Sequence, residues 1–323
     1  MLHSDALWYM APGQVECRPA QIALPAAGDV TVRALYSGIS RGTERLVLHG
    51  RVPRSEYRRM RCPLQEGDFP FPVKYGYALV GTVIAGPADI LNREVFVLHP
   101  HQRIAQVPRA FVHRLPEGLP AKRACLAANM ETALNITWDA QLAAGQSILI
   151  IGGGVLGLLT AALAARIPGA QVTVADVLDV RAGPARAMGA AFALPGAAPL
   201  DQNVVIHTSA TEEGLTRALE CAGFEAKVIE ASWFGERKVS LPLGAAFHAQ
   251  RLQLISSQVG AVAPSRRATT SHAQRLAQAL ELLKDPKFDA LVTREIPFDE
   301  APSRLPAALS GDSSDLMTVL HYE

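Results

Sequence analysis

The stretch from residue 148 to 176 limits what this chain can fold into more than any other part of it. Ile148-Leu149-Ile150-Ile151 is followed by Gly152-Gly153-Gly154-Val155-Leu156-Gly157, a long Ala/Leu run, and Val172-Thr173-Val174-Ala175-Asp176. It reads as strand, glycine turn, helix, strand and acid. Gln146 to Ala165 carries no formal charge, as a membrane span would. Four glycines at its centre divide it instead into a strand-sized and a helix-sized piece, and a buried parallel strand is also a continuous apolar run.

The glycine spacing is G-x-G-x-x-G, and Asp176 lies 19 residues beyond its last glycine. In that strand–turn–helix context the pattern predicts a dinucleotide site. Gly152 allows the sharp turn out of the strand. Gly154, lacking a Cβ, lets a pyrophosphate approach the backbone, and Gly157 lets the helix lie close to the sheet. The helix opens at Val155 and offers free N–H groups and a positive dipole end to the phosphates. Asp176 would accept hydrogen bonds from the adenosine ribose. A carboxylate there repels a 2′-phosphate, which favours NAD, while Arg181 and Arg186 leave NADP open. Ligands bind beyond the carboxyl ends of such strands, so Thr208 and Ser209, and Ser256 to Gly260 including Ser257, should border the cofactor.

The rest of the chain bounds the setting. Its 323 residues suggest two domains of ordinary size. At 49% hydrophobic and 19% charged it can bury sizeable cores. A net charge of +1 argues against nucleic acid or an anionic membrane as partner, and for a small-molecule substrate. Four arginines between Arg54 and Arg61 are interrupted by Glu56 and apolar residues, as on a solvated face. The N-terminus shows no signal-peptide pattern. Cys17, Cys62, Cys125 and Cys221 are widely spaced, which fits a reduced cytoplasmic protein and excludes a local zinc knuckle.

Residues 1–122 are strand-like and rich in proline turns; Val30 to Tyr36 alternates with period two, and Ala78 to Val83 and Glu94 to Leu98 read as strands. Residues 123–260 begin with a helical stretch and then alternate. Strands are predicted at 147–151, 171–176, 203–208, 226–231 and 252–256, and helices at about 155–167, 179–188, 212–221 and 244–250. That alternation predicts a parallel sheet covered on both faces. In 261–323, Ser271-His272-Ala273-Gln274 is a capping box opening a helix that stops at Asp285-Pro286. Strands at 291–297 and 315–322 then return to the first domain. The predicted class is α/β: a mostly β domain with an inserted, doubly wound parallel-sheet domain.

This order resembles the medium-chain dehydrogenase/reductase superfamily, which joins a GroES-like catalytic domain to a Rossmann domain. Ser37 to Glu44 (SGISRGTE) is similar to the family's SGICGTD loop, and Lys74 to Gly81 (KYGYALVG) to its GHExxG turn and strand. Ile296 to Ala301 (IPFDEA) is similar to its FPLDEA segment. The resemblance implies a nicotinamide-dependent oxidoreductase. In zinc members, the loop cysteine, the GHE histidine and a later Cys or Asp hold the catalytic metal. Here those positions resemble Ser40 or Arg41, Tyr77 and approximately Asn129, and the lobe of four close cysteines is missing. Ser, Arg and Tyr are not normal zinc ligands, so the resemblance is to a zinc-less branch, with no metal expected.

Without zinc, substrate must find a proton and an electrophile among side chains. Thr43 sits at the family's relay-hydroxyl position; a loop-capping role is equally open to it. Tyr77 could hydrogen-bond a substrate oxygen, or be a half-buried strand tyrosine. His101 or His99 could donate to substrate, although a satisfied loop histidine is the commoner fate. Glu131 reads as a helix-terminal acid near the expected cleft, and His248 as core or surface. Arg41 could reach the cofactor pyrophosphate or serve in a loop salt bridge. The functional expectation is zinc-independent hydride transfer between NAD(P) and an alcohol/carbonyl pair or an activated double bond. The alternatives are a cofactor-binding redox sensor or interaction protein without turnover, and a protein that keeps zinc through His99, His101 or Glu131. Relatives of this branch also imply a homodimer joined at the last strand of the nucleotide sheet.

Overall fold

A computed structural model describes residues 3–22, 26, 28–311 and 313–323. The chain divides into two compact units, one of Met1–Ala128 with Leu280–Glu323 and one of Asn129–Ala279.

The first unit is built around the strand Asp29–Ile39, whose alternating residues send Val30, Val32 and Ala34 into the core. It pairs antiparallel with Leu79–Ala85, Ile104–Pro108 and Met317–His321. Met317–His321 in turn pairs in parallel with Val292–Pro297, so the end of the chain completes the sheet begun at its start. A smaller sheet joins His3–Ala11 to Gln14–Gln21 and to Val73–Lys74.

In the second unit six strands are all parallel. Their order across the sheet is Ala191–Ala193, Gln171–Ala175, Ser147–Ile151, Gln202–His207, Ala222–Glu230 and Gln253–Ser256. In chain order that is 3-2-1-4-5-6, the dinucleotide-fold arrangement, with its switch point beside the first strand. Ile148, Leu149 and Ile150 are fully buried there, which is why that strand reads as an unbroken apolar run.

Several elements depart from the sequence expectation. The inserted unit covers 129–279, where the sequence suggested 123–260. Residues 123–128 stay with the first unit because Cys125 packs directly on Gly38. Residues 261–279 stay with the second because Arg275, 1% exposed, reaches Glu131 at 3.0 Å and Asn135 at 2.6 Å, while Ala263 N–H donates to Asn135. Arg41–Leu48, read as part of a loop, is a helix that buries Glu44, Leu46, Val47 and Leu48. The helix expected at 244–250 is an irregular turn, Leu243–Phe247, with Ala245 outside helical geometry at φ −95° and ψ −124°. The capping box is realised: Gln274 N–H donates to Ser271 Oγ, and Ser271 N–H to Gln274 Oε1. All four cysteines are free, and among the described residues no helix is long and apolar enough to cross a membrane.

Candidate active site

The glycine turn has the shape its residues require. Gly152 adopts φ +108°, open to glycine at no steric cost. A Cβ on Gly157 would overlap the Gly152 carbonyl oxygen and lie 2.9 Å from Thr208 Oγ1. Gly154 precedes the helix Val155–Ala164 with open space around it. Asp176 stands beside the turn, with Oδ2 accepting from Gly153 N–H at 2.6 Å and Oδ1 from Leu178 N–H at 2.9 Å. The stem of Arg181, a buried residue, lies against Gly153.

The neighbouring strand ends are polar. Thr208 Oγ1 donates to the Gly152 carbonyl at 2.9 Å, which ties the fourth strand to the turn. Ser209 Oγ meets His207 Nε2 at 2.7 Å. Ser257 is buried, and its hydroxyl donates to Asp139 at 2.6 Å. Thr208, Ser209 and the glycine turn are therefore brought together, whereas the Ser257 hydroxyl is committed to the helix Ala127–Ala140.

In the first unit three hydroxyls converge. The phenol of Tyr77 lies near the hydroxyls of Ser40 and Thr43, close enough for both to favour its ionised form. Desolvation pushes this phenol up to about 12, and the two hydroxyls oppose the rise. Ser40 ends the loop after the central strand, and Thr43 lies in the first turn of Arg41–Leu48. Tyr77 follows the glycine bend at Gly76 and meets the Tyr75 ring edge-on, with centroids 6.0 Å apart. Two predicted residues, Thr43 and Tyr77, thus meet in one cluster. Ser40, considered only as a lost metal ligand, completes it.

His101 lies beneath this cluster in a buried network. Glu44, 0% exposed, accepts from Tyr9 O–H at 2.7 Å, Ser40 N–H at 2.7 Å and His101 Nε2 at 3.0 Å. A carboxylate only accepts, so His101 carries its proton on Nε2, leaving Nδ1 to accept from Ser37 at 2.7 Å. Tyr322 reaches the same serine at 2.8 Å. His101, fully buried with both nitrogens engaged, is thus a scaffold residue that steadies Ser40 through Glu44. His99 is buried too, bonded to the Pro100 carbonyl, and burial pushes its imidazole down to about 4.

Among the described residues, no group of three or more His, Cys, Asp and Glu is placed to hold a metal ion. Ser40, Thr43 and Tyr77 offer neutral hydroxyls where three Cys, His or carboxylate ligands are needed. His101 and Glu44 are spent on each other, and Glu131 on Arg275. Arg41 directs its guanidinium to the carbonyls of Ser310, Gly311 and Asp315 within the first unit. His248 is exposed.

Comparison with known proteins agrees with this architecture. No family model matches the chain. An uncharacterized zinc-type alcohol dehydrogenase-like protein of Escherichia coli (strain K12) is 24% identical over 233 residues, which are 61% of this chain and 64% of that protein. The chain thus spans under two thirds of that curated relative. A candidate zinc-binding dehydrogenase from Sinorhizobium meliloti 1021, solved with NADP, superposes with a TM-score of 0.79 at 19% identity over 99% of this chain and 100% of the other. A protein named as a short chain alcohol dehydrogenase from Escherichia coli CFT073, complexed with NADH, gives 0.77 at 16% identity over 99% of both chains. The chain is thus similar in sequence to a zinc-type alcohol dehydrogenase-like protein, and it has the fold of the solved dehydrogenases.

Proposed function

We propose that this chain, a medium-chain dehydrogenase/reductase relative, is an NAD(P)-dependent oxidoreductase whose proton donor is a hydroxyl cluster rather than a metal site. The observation that carries the reading is the nearness of Ser40 and Tyr77, at two positions that resemble the family's metal ligands, to Thr43 at its relay-hydroxyl position. The glycine turn, the helix start at Val155 and Asp176 would hold the dinucleotide. The carboxylate of Asp176 favours NAD over NADP. Bound there, the nicotinamide supplies the hydride for a carbonyl or an activated double bond.

The residues of this chain would supply orientation and the proton. Raised to about 12, the Tyr77 phenol keeps its proton at neutral pH and can donate it to a substrate oxygen. The hydroxyls of Ser40 and Thr43 would then stabilise the phenolate left behind. Glu44 fixes Ser40 by its backbone N–H, which holds one of those hydroxyls in place. A homodimer would form along the edge strand Gln253–Ser256, where Leu254 is 39% exposed.

Nicotinamide fluorescence titration tests the first half of this reading, and NADH oxidation against a panel of aldehydes, ketones and enones tests the second. Protein that binds neither NADH nor NADPH would overturn it.

A further inference from the structure

The carboxyl ends of two strands in the second unit hold a constellation that hydride transfer does not use. His207 closes Gln202–His207, Glu230 closes Ala222–Glu230, and the two are register partners in the parallel pairing. His207 Nδ1 lies 2.7 Å from Glu230 Oε2, and its Nε2 lies 2.7 Å from Ser209 Oγ. The carboxylate cannot donate, so Nδ1 carries the imidazole proton and Nε2 accepts from the serine. The other carboxylate oxygen, Oε1, accepts from Ser232 N–H at 2.6 Å. Ser232 Oγ also lies 3.3 Å from Nδ1. The imidazole is fully buried and stacked on the Phe234 ring, with centroids 6.1 Å apart. Both its orientation and its tautomer are therefore fixed.

Ser209 sits half-buried in the tight turn between that strand and the helix Glu212–Cys221. The next residue, Ala210, adopts φ +55°. Thr211 Oγ1 lies 3.0 Å from Ser209 Oγ and accepts from Gly214 N–H at 3.0 Å, so the donors run in one direction from the helix start to Glu230. Gly214 is needed here. A Cβ on it would lie 2.8 Å from His207 Nε2 and overlap Ser209 Oγ. Serine, histidine and carboxylate in this order, with the base oriented by the acid, form a nucleophilic triad defined by geometry and not by chain order.

We propose that Ser209, His207 and Glu230 are an acyl-transfer triad acting on small activated esters, an activity separate from hydride transfer. Ser209 Oγ bonds to the ester carbonyl carbon while its proton passes to His207 Nε2. The C–O bond to the alcohol then breaks, and the alcohol departs with that proton. Water adds to the acyl-serine, giving its proton to Nε2, and the acid is released as the serine recovers its hydrogen. Glu230 holds the tautomer and stabilises the imidazolium.

The test uses the full chain without added cofactor. A fluorophosphonate loses fluoride to an activated serine and leaves a stable phosphonyl adduct. The expected result is one adduct per chain, mapped by peptide mass spectrometry to Ser209 in preference to every other serine. Ser209→Ala should show none, and His207→Asn should form it about 10²–10⁴-fold more slowly. Hydrolysis of p-nitrophenyl acetate should fall in parallel. The wild-type comparison among serines is internal and needs no variant to fold. No adduct at Ser209, or labelling no faster than at other serines, overturns the proposal.

Discussion

Substituting Gly157 and Gly154 one at a time by alanine separates packing from ligand approach within a single turn. At Gly157 the new Cβ would overlap a backbone oxygen, that of Gly152, rather than the end of a flexible side chain. Non-bonded atoms sit ~3.5 Å apart, so turn and helix must separate by roughly 1 Å or more. That strains the hydrogen bond of 2.9 Å from Thr208 to Gly152. Overpacking of this kind and one lost hydrogen bond together amount to about 2–4 kcal/mol. Taken wholly in the free protein, that lowers Tm by about 4–16 °C for a unit of this size. Taken wholly on binding, it weakens NADH by about 30- to 1000-fold. Gly154 has open space around it and an extended backbone at φ −73° and ψ −179°, so alanine there should leave Tm within about 1 °C. Its Cβ nevertheless stands where the pyrophosphate approaches, so NADH affinity should fall about tenfold or more. Thermal melts and NADH fluorescence titrations of both variants decide the matter. A Gly157→Ala protein unchanged in both quantities, or a Gly154→Ala protein whose Tm falls as far as that of Gly157→Ala, would contradict this division of roles.

Arg275→Met leaves Glu131 buried without its cation and should cost about 3–5 kcal/mol by denaturant unfolding. Stability should also depend on pH through His99. Its folded imidazole sits near 4, below the unfolded value, so its contribution is complete above about pH 6.5 and is lost as pH falls toward 4. The loss is about 3 kcal/mol, and His99→Gln should flatten that part of the urea-midpoint profile. For the edge strand, Leu254→Glu should convert a dimer to a monomer by light scattering; a wild-type protein that is already monomeric would rule out this interface.

The sheet of the second unit was legible because the cores of its inner strands, such as Ile148 to Ile151 and Val204 to Ile206, are apolar runs ended by glycine or polar residues. The strand 147–151 and the helix 212–221 have the predicted bounds. Ala191–Ala193 escaped notice because three half-exposed residues in an Ala-rich stretch carry no alternation. Arg41–Leu48 was obscured because its buried face includes Glu44, whose side-chain partners Tyr9 and His101 lie far away in the chain. His101 and Glu44 are 57 residues apart, and Ser37 and Tyr322 are 285 apart, so no local pattern announces that network. The triad had one visible trace. Val204-Val205-Ile206-His207 and Lys227-Val228-Ile229-Glu230 are neighbouring parallel strands, each ending in a polar residue at the same level. Strand order turns that coincidence into contact, and a sequence alone does not supply strand order.

The most direct test of the hydroxyl-cluster account is the reductive rate of metal-stripped enzyme, measured for the wild type and for Tyr77→Phe with saturating cofactor. The chelated wild type should keep its full rate, while the phenylalanine variant, which lacks only the phenolic oxygen, should fall about 10²-fold or more in kcat. A wild-type rate that disappears on chelation and returns with added zinc would contradict it.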